Sequence, residues 1–447
     1  MEYDNDDNSW RRPSTTQQNK CHRIPKRSTT TAVVVLGLAV LSCLLGYCVL
    51  SETLPYESKT LRLVIILFRH GARTPVSTYR SDPYRNYQWP DGYGSLTNVG
   101  KMQLYELGKK YRSYYANYIP EDYYEKNVYV QSSDKSRCMM SAYTFLAGLF
   151  PPSQRQTWHA ELPWQPIPVH SLPRLLDNIV AGTKPCAKWK AMYAEQLAEK
   201  NSDPKFNEVF ENLSKYTNQT VRSVLDVDYL YSTLATEQEA GLKLPEWTKN
   251  LFPHKMRLPF MLSLALLSYN ESMQRLQIGP MLNEIRENMN NTFNPSSGSE
   301  RLLLMYSGHD VTVVALWRAL GFGELLEPEY GASLVLELHE DIEQNLFFVK
   351  AFYRNNTKTE MPMELKLPFC EDPCGYKQFY DHISNLIPDD WETECENNVQ
   401  GELAGLNRRV ANTDPSKSSA SQNLPPDRKR DPLRRSGEKL SGLKGLR

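Results

Sequence analysis

The sequence predicts an α/β fold, because runs typical of buried strands alternate with runs typical of helices. The segment 61–68, LRLVIILF, is a continuous apolar run of the length of a buried strand. Shorter apolar stretches in 128–152 and 301–317 pass directly into helical patterns. Residues from about 186 to 292 are helical by their periodicity. These observations favour a strand-containing core with a helical segment inserted into it.

The predicted first strand leads into a turn that carries two arginines and a histidine. Arg69 and Arg73 flank His70, and Gly71 follows the histidine directly. Two neighbouring guanidinium groups disfavour protonation of the imidazole, so we expect His70 to stay neutral and nucleophilic while both arginines bind a phosphate. We expect Gly71 to adopt a backbone conformation that residues with a side chain avoid. The turn therefore predicts phosphoryl transfer to His70.

A second segment places two polar side chains at the start of a predicted helix. Residues 301–317 run from a short apolar stretch into a helical pattern, which leaves His309 and Asp310 at the helix N-terminus. An anion is favoured there, because the first backbone N–H groups of a helix are unpaired and the helix dipole is positive at that end. As an alternative, Asp310 serves only as a helix cap.

A third segment, 128–152, begins like a strand and continues as an amphipathic helix. We expect the helix to be capped at Ser133, which places Arg137 in its first turn. A cation opposes the helix dipole at this end, so its position is mildly unfavourable unless an anion lies nearby. The position of Arg137 therefore favours a role in anion binding.

The three segments together resemble the histidine acid phosphatases. The turn reads RHGARTP, which matches the family signature Arg-His-Gly-x-Arg-x-Pro after the first strand, and the other two segments match family motifs in the expected order. The matched region is 59–395. The resemblance implies a mixed-sheet core of the phosphoglycerate-mutase type, with a smaller α-helical domain inserted at about 183–295 as the roof of the pocket.

The resemblance also implies a role for each matched side chain. His70 is the nucleophile, and Asp310 in its acid form protonates the leaving oxygen. The phosphate-binding set consists of Arg69, Arg73, Arg137 and His309. A carboxyl with a reference pKa of about 3.9 donates a proton mainly at low pH, so we expect an acidic optimum. We expect neither a cofactor nor a metal ion, because Arg and His supply the positive charge.

Other functions stay open from the sequence. A phosphoglycerate-mutase-like phosphotransferase shares the Arg-His-Gly start, and a membrane-anchored binding ectodomain with reduced activity would keep the same fold. The Thr-Pro exit and the His-Asp pair favour an acid phosphatase acting on a small phosphomonoester, with a specialised lipid or sugar phosphatase as the alternative. A second copy of the chain is a candidate partner. A formal net charge of zero argues against nucleic acid.

Five cysteines lie in the matched region. The sequence alone allows several connectivities. The family resemblance implies the pairs Cys370–Cys374 and Cys186–Cys395. Cys138 is then left over, and its apolar helical surroundings predict a buried thiol.

The N-terminal part of the chain predicts a membrane anchor. Residues 32–50 are 19 uncharged, mostly apolar residues, close to the length that crosses a bilayer. Six basic residues precede them, so we expect 1–31 to be a cytosolic basic tail and the catalytic domain to be lumenal or extracellular, as in a single-pass type II protein. A cleaved signal peptide of a secreted or lysosomal enzyme is the alternative. We expect 396–447, which is basic and lacks aromatic residues, to be disordered.

Asn-x-Ser/Thr sequons support this topology, because those found downstream of the apolar segment would face the glycosylation machinery. These candidate glycosylation sites are Asn212, Asn218, Asn270, Asn290 and Asn355.

Overall fold

The computed structural model describes residues 59–396, except for the side chain of Pro295, and it is built around one mixed β-sheet. Within this range the sheet has eight strands. They are β1 (Leu61–Arg69), β2 (Val128–Ser133), β3 (His170–Leu172), β4 (Leu303–Gly308), β5 (Ser333–Asp341), β6 (Leu346–Arg354), β7 (Met363–Leu365) and β8 (Cys374–Gly375). Their spatial order is β3-β2-β4-β1-β5-β6-β7, and β8 pairs with β6.

Strand β1 lies at the centre of the sheet, because it pairs with parallel β4 on one side and antiparallel β5 on the other. Strands β4, β2 and β3 are parallel neighbours, whereas β5, β6 and β7 are joined antiparallel. The predicted α/β fold with a mixed sheet is thereby confirmed. A strand with neighbours on both edges and helices over both faces is buried throughout, which explains the continuous apolar run of β1.

The described part of the chain also contains eleven α-helices and three short 3-10 helices. The α-helices are α1 (Asn98–Tyr114), α2 (Ser136–Leu149), α3 (Ala187–Asn201), α4 (Asn207–Thr217), α5 (Val224–Glu239), α6 (His254–Leu266), α7 (Glu271–Gln277), α8 (Gly279–Phe293), α9 (Asp310–Ala319), α10 (Tyr376–Asn385) and α11 (Trp391–Glu394). The 3-10 helices are Pro204–Phe206, Glu246–Asn250 and Pro295–Ser297.

Successive side chains of β1 point to opposite faces of the sheet and enter two separate apolar cores. The even-numbered positions from Val64 to Phe68 pack with α1 and α2. The odd-numbered positions from Leu63 to Leu67 pack with α8, α9 and α10. Helices therefore cover both faces of the sheet, and the ends of its strands are the edge at which polar groups can collect.

Helices α4, α5 and α6 form a third apolar core above this edge, and we call these three helices the roof. Val314 of α9 and Tyr79, from the chain after β1, also belong to this core and connect the roof to the sheet layer. Helix α8 lies within the expected insertion at 183–295, but its apolar side chains pack on the sheet instead. The inserted residues are thus divided between the roof and the sheet layer.

Two disulfide bonds are present, and they are Cys186–Cys395 and Cys370–Cys374, as the resemblance implies. The first bridge joins the residue before α3 to the residue after α11. Cys138 is a buried free thiol, in agreement with the prediction from its helical surroundings.

The two ends of the sequence lie outside the described residues. They include the predicted basic tail 1–31, the predicted anchor 32–50 and all but the first residue of the predicted disordered segment 396–447. Among the helices of residues 59–396, none combines the length and the apolar character needed to cross a bilayer.

Candidate active site

The three sequence motifs meet because the strands that carry them are neighbours in the sheet. Strands β1 and β4 run parallel, with Arg69 opposite Gly308 at their carboxyl ends. Strand β2 lies on the other side of β4, with Ser132 opposite Ser307. Parallel strands bring the loops after their carboxyl ends to one edge of the sheet. The turn after β1, the start of α9 and the start of α2 therefore face the same space.

His70 is almost completely buried, with 2% of its surface exposed. Its Nδ1 lies 2.8 Å from the carbonyl oxygen of Gly71. A carbonyl only accepts, so Nδ1 carries the proton and donates it, and the lone pair is left on Nε2. Burial, followed by the positive charges of Arg137 and Arg69, holds the pKa of His70 well below its ordinary value. The imidazole is therefore neutral and has one free nucleophilic nitrogen.

Gly71 is required by close packing, and the expectation of a special backbone conformation is wrong. Its φ is not among the positive values found in the described residues. A Cβ atom at Gly71 would instead lie 2.4 Å from the carbonyl oxygen of Gly100 in α1. The absence of a side chain lets the turn approach the helix, and this contact helps to hold His70 in place.

Three arginines surround His70, and each has a buried Nε atom with no hydrogen-bond partner. They are Arg69, Arg73 and Arg137. Burial, together with the neighbouring charge of Arg73, lowers the pKa of Arg137, although the adjacent Cys138 thiol opposes the shift. Unpaired buried donors of like charge are unfavourable unless an anion binds to them. This cluster is therefore suited to a dianion such as a phosphate.

Arg69 is arranged differently from the other two arginines. Its Nη2 forms an ion pair of 2.7 Å with Oδ2 of Asp310, and its Nη1 donates to the carbonyl oxygen of Pro328 over 2.6 Å. The guanidinium also lies over the ring of Tyr330, 4.3 Å from its centroid. Burial favours the acid form of Asp310, but the positive charges of Arg69 and Arg73 outweigh it and hold the pKa of this carboxyl below its usual value. Without substrate, Asp310 is therefore ionised.

His309 is the N-cap residue of α9, and Asp310 is the first residue of that helix. Oγ of Ser133 lies 2.9 Å from Nε2 of His309. The expectation that Ser133 caps α2 is wrong, because the N-cap is Lys135 and Ser133 ends β2. Burial, then the charge of Arg137, lowers the pKa of His309. A neutral imidazole has one N–H group, through which it can donate a hydrogen bond to an anion.

A cavity of about 1030 Å³ opens above these groups. Five of the six proposed site residues line it, and we call them the floor: His70, Arg73, Arg137, His309 and Asp310. Arg69 is not among the residues that line the cavity, and its ion pair with Asp310 connects it to the floor. Helices α3, α5 and α6 complete the wall.

Asp228, in α5, is a cavity residue that the sequence motifs do not identify. Its helix has a regular pattern of buried apolar residues, and nothing in that pattern separates Asp228 from an ordinary polar position. This carboxyl lies near the floor because the roof packs above the carboxyl ends of the strands.

Comparison with protein families places these residues in a known context. Residues 60–354 match the model of the histidine phosphatase superfamily (branch 2). That range contains every residue of the floor, and it covers more than half of the chain.

Curated relatives are similar over most of their length. Prostatic acid phosphatase of Bos taurus is 35% identical over 349 residues, covering 76% of this chain and 88% of the relative. Lysosomal acid phosphatase of Rattus norvegicus is 34% identical, covering 80% of this chain and 85% of the relative. The lysosomal acid phosphatase of Homo sapiens is also 34% identical, covering 76% and 82% of the two chains.

Solved structures of the same fold include two bacterial phytases. The Citrobacter braakii enzyme superposes with a TM-score of 0.58 at 19% identity, covering 75% of this chain and 99% of its own. The Hafnia alvei enzyme superposes with a TM-score of 0.59 at 16% identity, covering 76% and 99%. At these identities the similarity establishes the fold.

Proposed function

This chain belongs to the histidine phosphatase superfamily (branch 2) and is a histidine acid phosphatase, and we propose that His70 carries the phosphoryl group during its reaction. One observation supports this assignment above the others. His70 is buried, neutral and free at Nε2, and it lies beside arginines whose Nε atoms lack partners. A nucleophile and a binding site for its electrophile are thus already in place.

The first half of the reaction uses the floor residues as a group. Arg73, Arg137 and His309 bind the oxygens of a phosphomonoester and offset its charge. Nε2 of His70 attacks phosphorus, a P–N bond forms, and the P–O bond to the alcohol breaks. The departing oxygen takes a proton from Asp310, which the incoming dianion and an acidic medium convert to its acid form.

The second half returns the site to its starting state. A water molecule attacks the phosphohistidine and gives one proton to the Asp310 carboxylate. The P–N bond breaks, and inorganic phosphate leaves. Arg69 keeps the carboxyl of Asp310 in a fixed orientation through the ion pair of 2.7 Å.

The substrate class that fits is a small phosphomonoester. A cavity of about 1030 Å³ exceeds the size of a phosphate group, so the alcohol also lies inside it. Specialised lipid or sugar phosphates are included in this class. A panel of alkyl, aryl, sugar and lipid phosphates, tested on the full chain at pH 5, would rank these alcohols.

The activity test uses two histidine variants. We expect His70→Ala to lose turnover on every substrate of the panel at pH 5. His159→Ala is the matched control, because His159 is exposed and contacts only the ring of Trp158 among the aromatic side chains. Activity near that of the wild type in His70→Ala would contradict the assignment.

The location of the enzyme rests on the sequence outside the described residues. We propose that 32–50 is an uncleaved signal anchor and that the phosphatase domain faces the lumen or the exterior. Secreted or lysosomal delivery after cleavage is the alternative. The full-length chain should stay with membranes after a carbonate wash and keep an N-terminal tag on the cytosolic side. A mature N-terminus near Ser51 would contradict the anchor.

Glycosylation gives an independent readout of the same topology. Asn218 and Asn270 are exposed, whereas Asn212, Asn290 and Asn355 are half-buried. We expect Asn218→Gln to remove one step of the mobility shift that glycosidase treatment produces. The proposed homodimer is tested separately by sedimentation of the purified chain.

A further inference from the structure

Asp228 is a half-buried carboxyl in the cavity that the proposed reaction does not use. It lies in α5, and it lines the same space as His70 and Asp310. Oγ of Ser232, one turn later in the helix, donates a hydrogen bond of 3.2 Å to Oδ1 of Asp228. Among the described residues, Asp228 forms no ion pair with a lysine or arginine. A carboxyl of this kind is held in its acid form or is destabilising.

Polar and charged groups face Asp228 from each element around it. These groups are Asp310 and Arg73 from the floor, Tyr193 from α3 and Ser263 from α6, while Lys190 of α3 lines the same cavity. Burial and the negative charge of Asp310 raise the pKa of Asp228 to about 7, against hydrogen bonds from two serines and the charge of Arg73. Asp310 therefore carries the negative charge, and Asp228 keeps the proton at acid pH.

The two protonation states of Asp228 have opposite effects on a phosphomonoester. The acid form presents an O–H donor to the cavity. The ionised form adds a negative charge opposite a substrate that itself carries a charge of about −1.5 to −2 near neutral pH. Like charges in a partly dry cavity repel more strongly than they do in water.

We propose that Asp228 is a substrate-binding residue of the phosphatase site. When its carboxyl is protonated, Asp228 binds a phosphomonoester, and when the carboxyl is ionised, Asp228 repels it. This inference rests on the proposed function, and it adds a group from the roof to the floor residues. The O–H of Asp228 donates a hydrogen bond to an oxygen of the bound phosphate ester, and the proton stays on Asp228. Asp228 therefore sets the upper pH limit of substrate and phosphate binding.

The test replaces the carboxyl by an amide of the same shape, which donates a hydrogen bond at every pH. At pH 8 about one tenth of a group with a pKa of 7 is in its acid form. We therefore expect Asp228→Asn in the full chain to exceed the wild type by about tenfold in kcat/KM at pH 8, with similar values for both at pH 5. The dissociation constant of inorganic phosphate, measured by direct binding, should show the same pH dependence without requiring turnover.

Two further variants keep the test decisive. Asp226→Asn is the matched control, because Asp226 lies in the same helix but does not line the cavity. The dependence of kcat/KM on pH in this variant should match that of the wild type. Ser232→Ala removes a donor that stabilises the carboxylate, so it should raise the pKa of Asp228 with little change in packing. The decline of kcat/KM at high pH, which we call the alkaline limb of the pH profile, should then move to higher pH. The substrate's own second ionisation, near pH 6, is common to all variants and cancels in the comparison.

The outcomes separate this inference from the proposed function. A wild-type chain without phosphatase activity at pH 5 contradicts the function itself. An active wild type whose alkaline limb is unchanged by Asp228→Asn and by Ser232→Ala contradicts only the role of Asp228. If Asp228→Asn folds poorly and Ser232→Ala still leaves the limb in place, the inference is overturned as well.

Discussion

The floor and the roof respond to burial in opposite directions. On the floor, burial lowers the pKa of His70, His309 and Arg137, so both imidazoles are neutral above an arginine cluster. In the roof helix α5, burial raises the pKa of Asp228 to about 7 and that of Glu237 to about 8. The chemical type of each group, combined with burial, decides the sign of the shift.

The difference explains why the site suits an acidic medium. At low pH the floor keeps its arginine charges and the cavity carboxyl Asp228 is neutral, so the roof adds no repulsion to an incoming anion. As pH rises toward 8, negative charge appears on Asp228 while the arginine charges of the floor stay unchanged. In this account the roof limits substrate binding at high pH through Asp228, whereas the floor carries out the chemistry.

The largest expected effect of a substitution concerns Asp310, the proton donor of the floor. We expect Asp310→Asn to slow the hydrolysis of alkyl phosphates by about 10²–10⁴-fold, because an amide cannot protonate the leaving oxygen. Aryl phosphates have better leaving groups, so their loss should be much smaller. Steady-state rates on a matched pair of substrates measure the ratio. Equal losses on both substrates would assign Asp310 to structure.

The second effect concerns the charge of the floor. We expect Arg137→Ala to reduce kcat by about 10²–10³-fold, as removal of one preorganised donor does in other sites. Arg222→Ala is the matched control, because Arg222 is exposed before α5 and its loss leaves the cavity unchanged. Equal activity of the two variants would show that the arginine cluster does not bind the phosphate.

The smallest effect concerns the stability of the roof. Asp82 and Glu237 are buried, at 7% and 1% exposure, and one carboxyl oxygen of each lacks a conventional donor. A proton shared between the two carboxyls satisfies both oxygens, and it joins the chain after β1 to α5. Burial, followed by the charge of Asp82, raises the pKa of Glu237 from 4.5 to about 8.

This raised pKa fixes the sign of the pH dependence. The folded state binds the proton of Glu237 more tightly than the unfolded state, so the contribution of this group to stability is largest below pH 4.5 and falls as the pH rises toward 8. Glu237→Gln carries no ionisable group at this position, so it removes this fall, and at pH 8 the variant should be more stable than the wild type. Urea unfolding at pH 4.5 and pH 8 measures the change. A wild type and variant with parallel pH profiles would refute the shared proton.

The sequence allowed the positions of the floor residues to be predicted, because these residues belong to short continuous motifs. A buried strand followed by RHGARTP places His70 at a strand end, and the helical pattern after Gly308 places His309 at a helix start. Both consequences follow from local structure, so neighbouring residues are sufficient to predict them.

The sequence could not predict the roof contacts or two of the packing details. Asp228 and Glu237 look like ordinary helical polar residues until the fold brings them to other carboxyls. Gly71 is explained by Gly100, a residue of another element, and Ser133 contacts His309 across two strands. Each of these contacts joins residues that are distant in the chain, and the sequence spacing of the two residues does not indicate that they are in contact.

The central claim, that His70 carries the phosphoryl group, is tested most directly by trapping the intermediate. Rapid mixing of the full chain with substrate labelled in its phosphate, followed by an alkaline quench, should preserve an acid-labile phosphohistidine. Peptide mapping should place the label on His70, and His70→Ala should retain none. Turnover by the wild type without any labelled intermediate, or a label on another residue, would contradict the account.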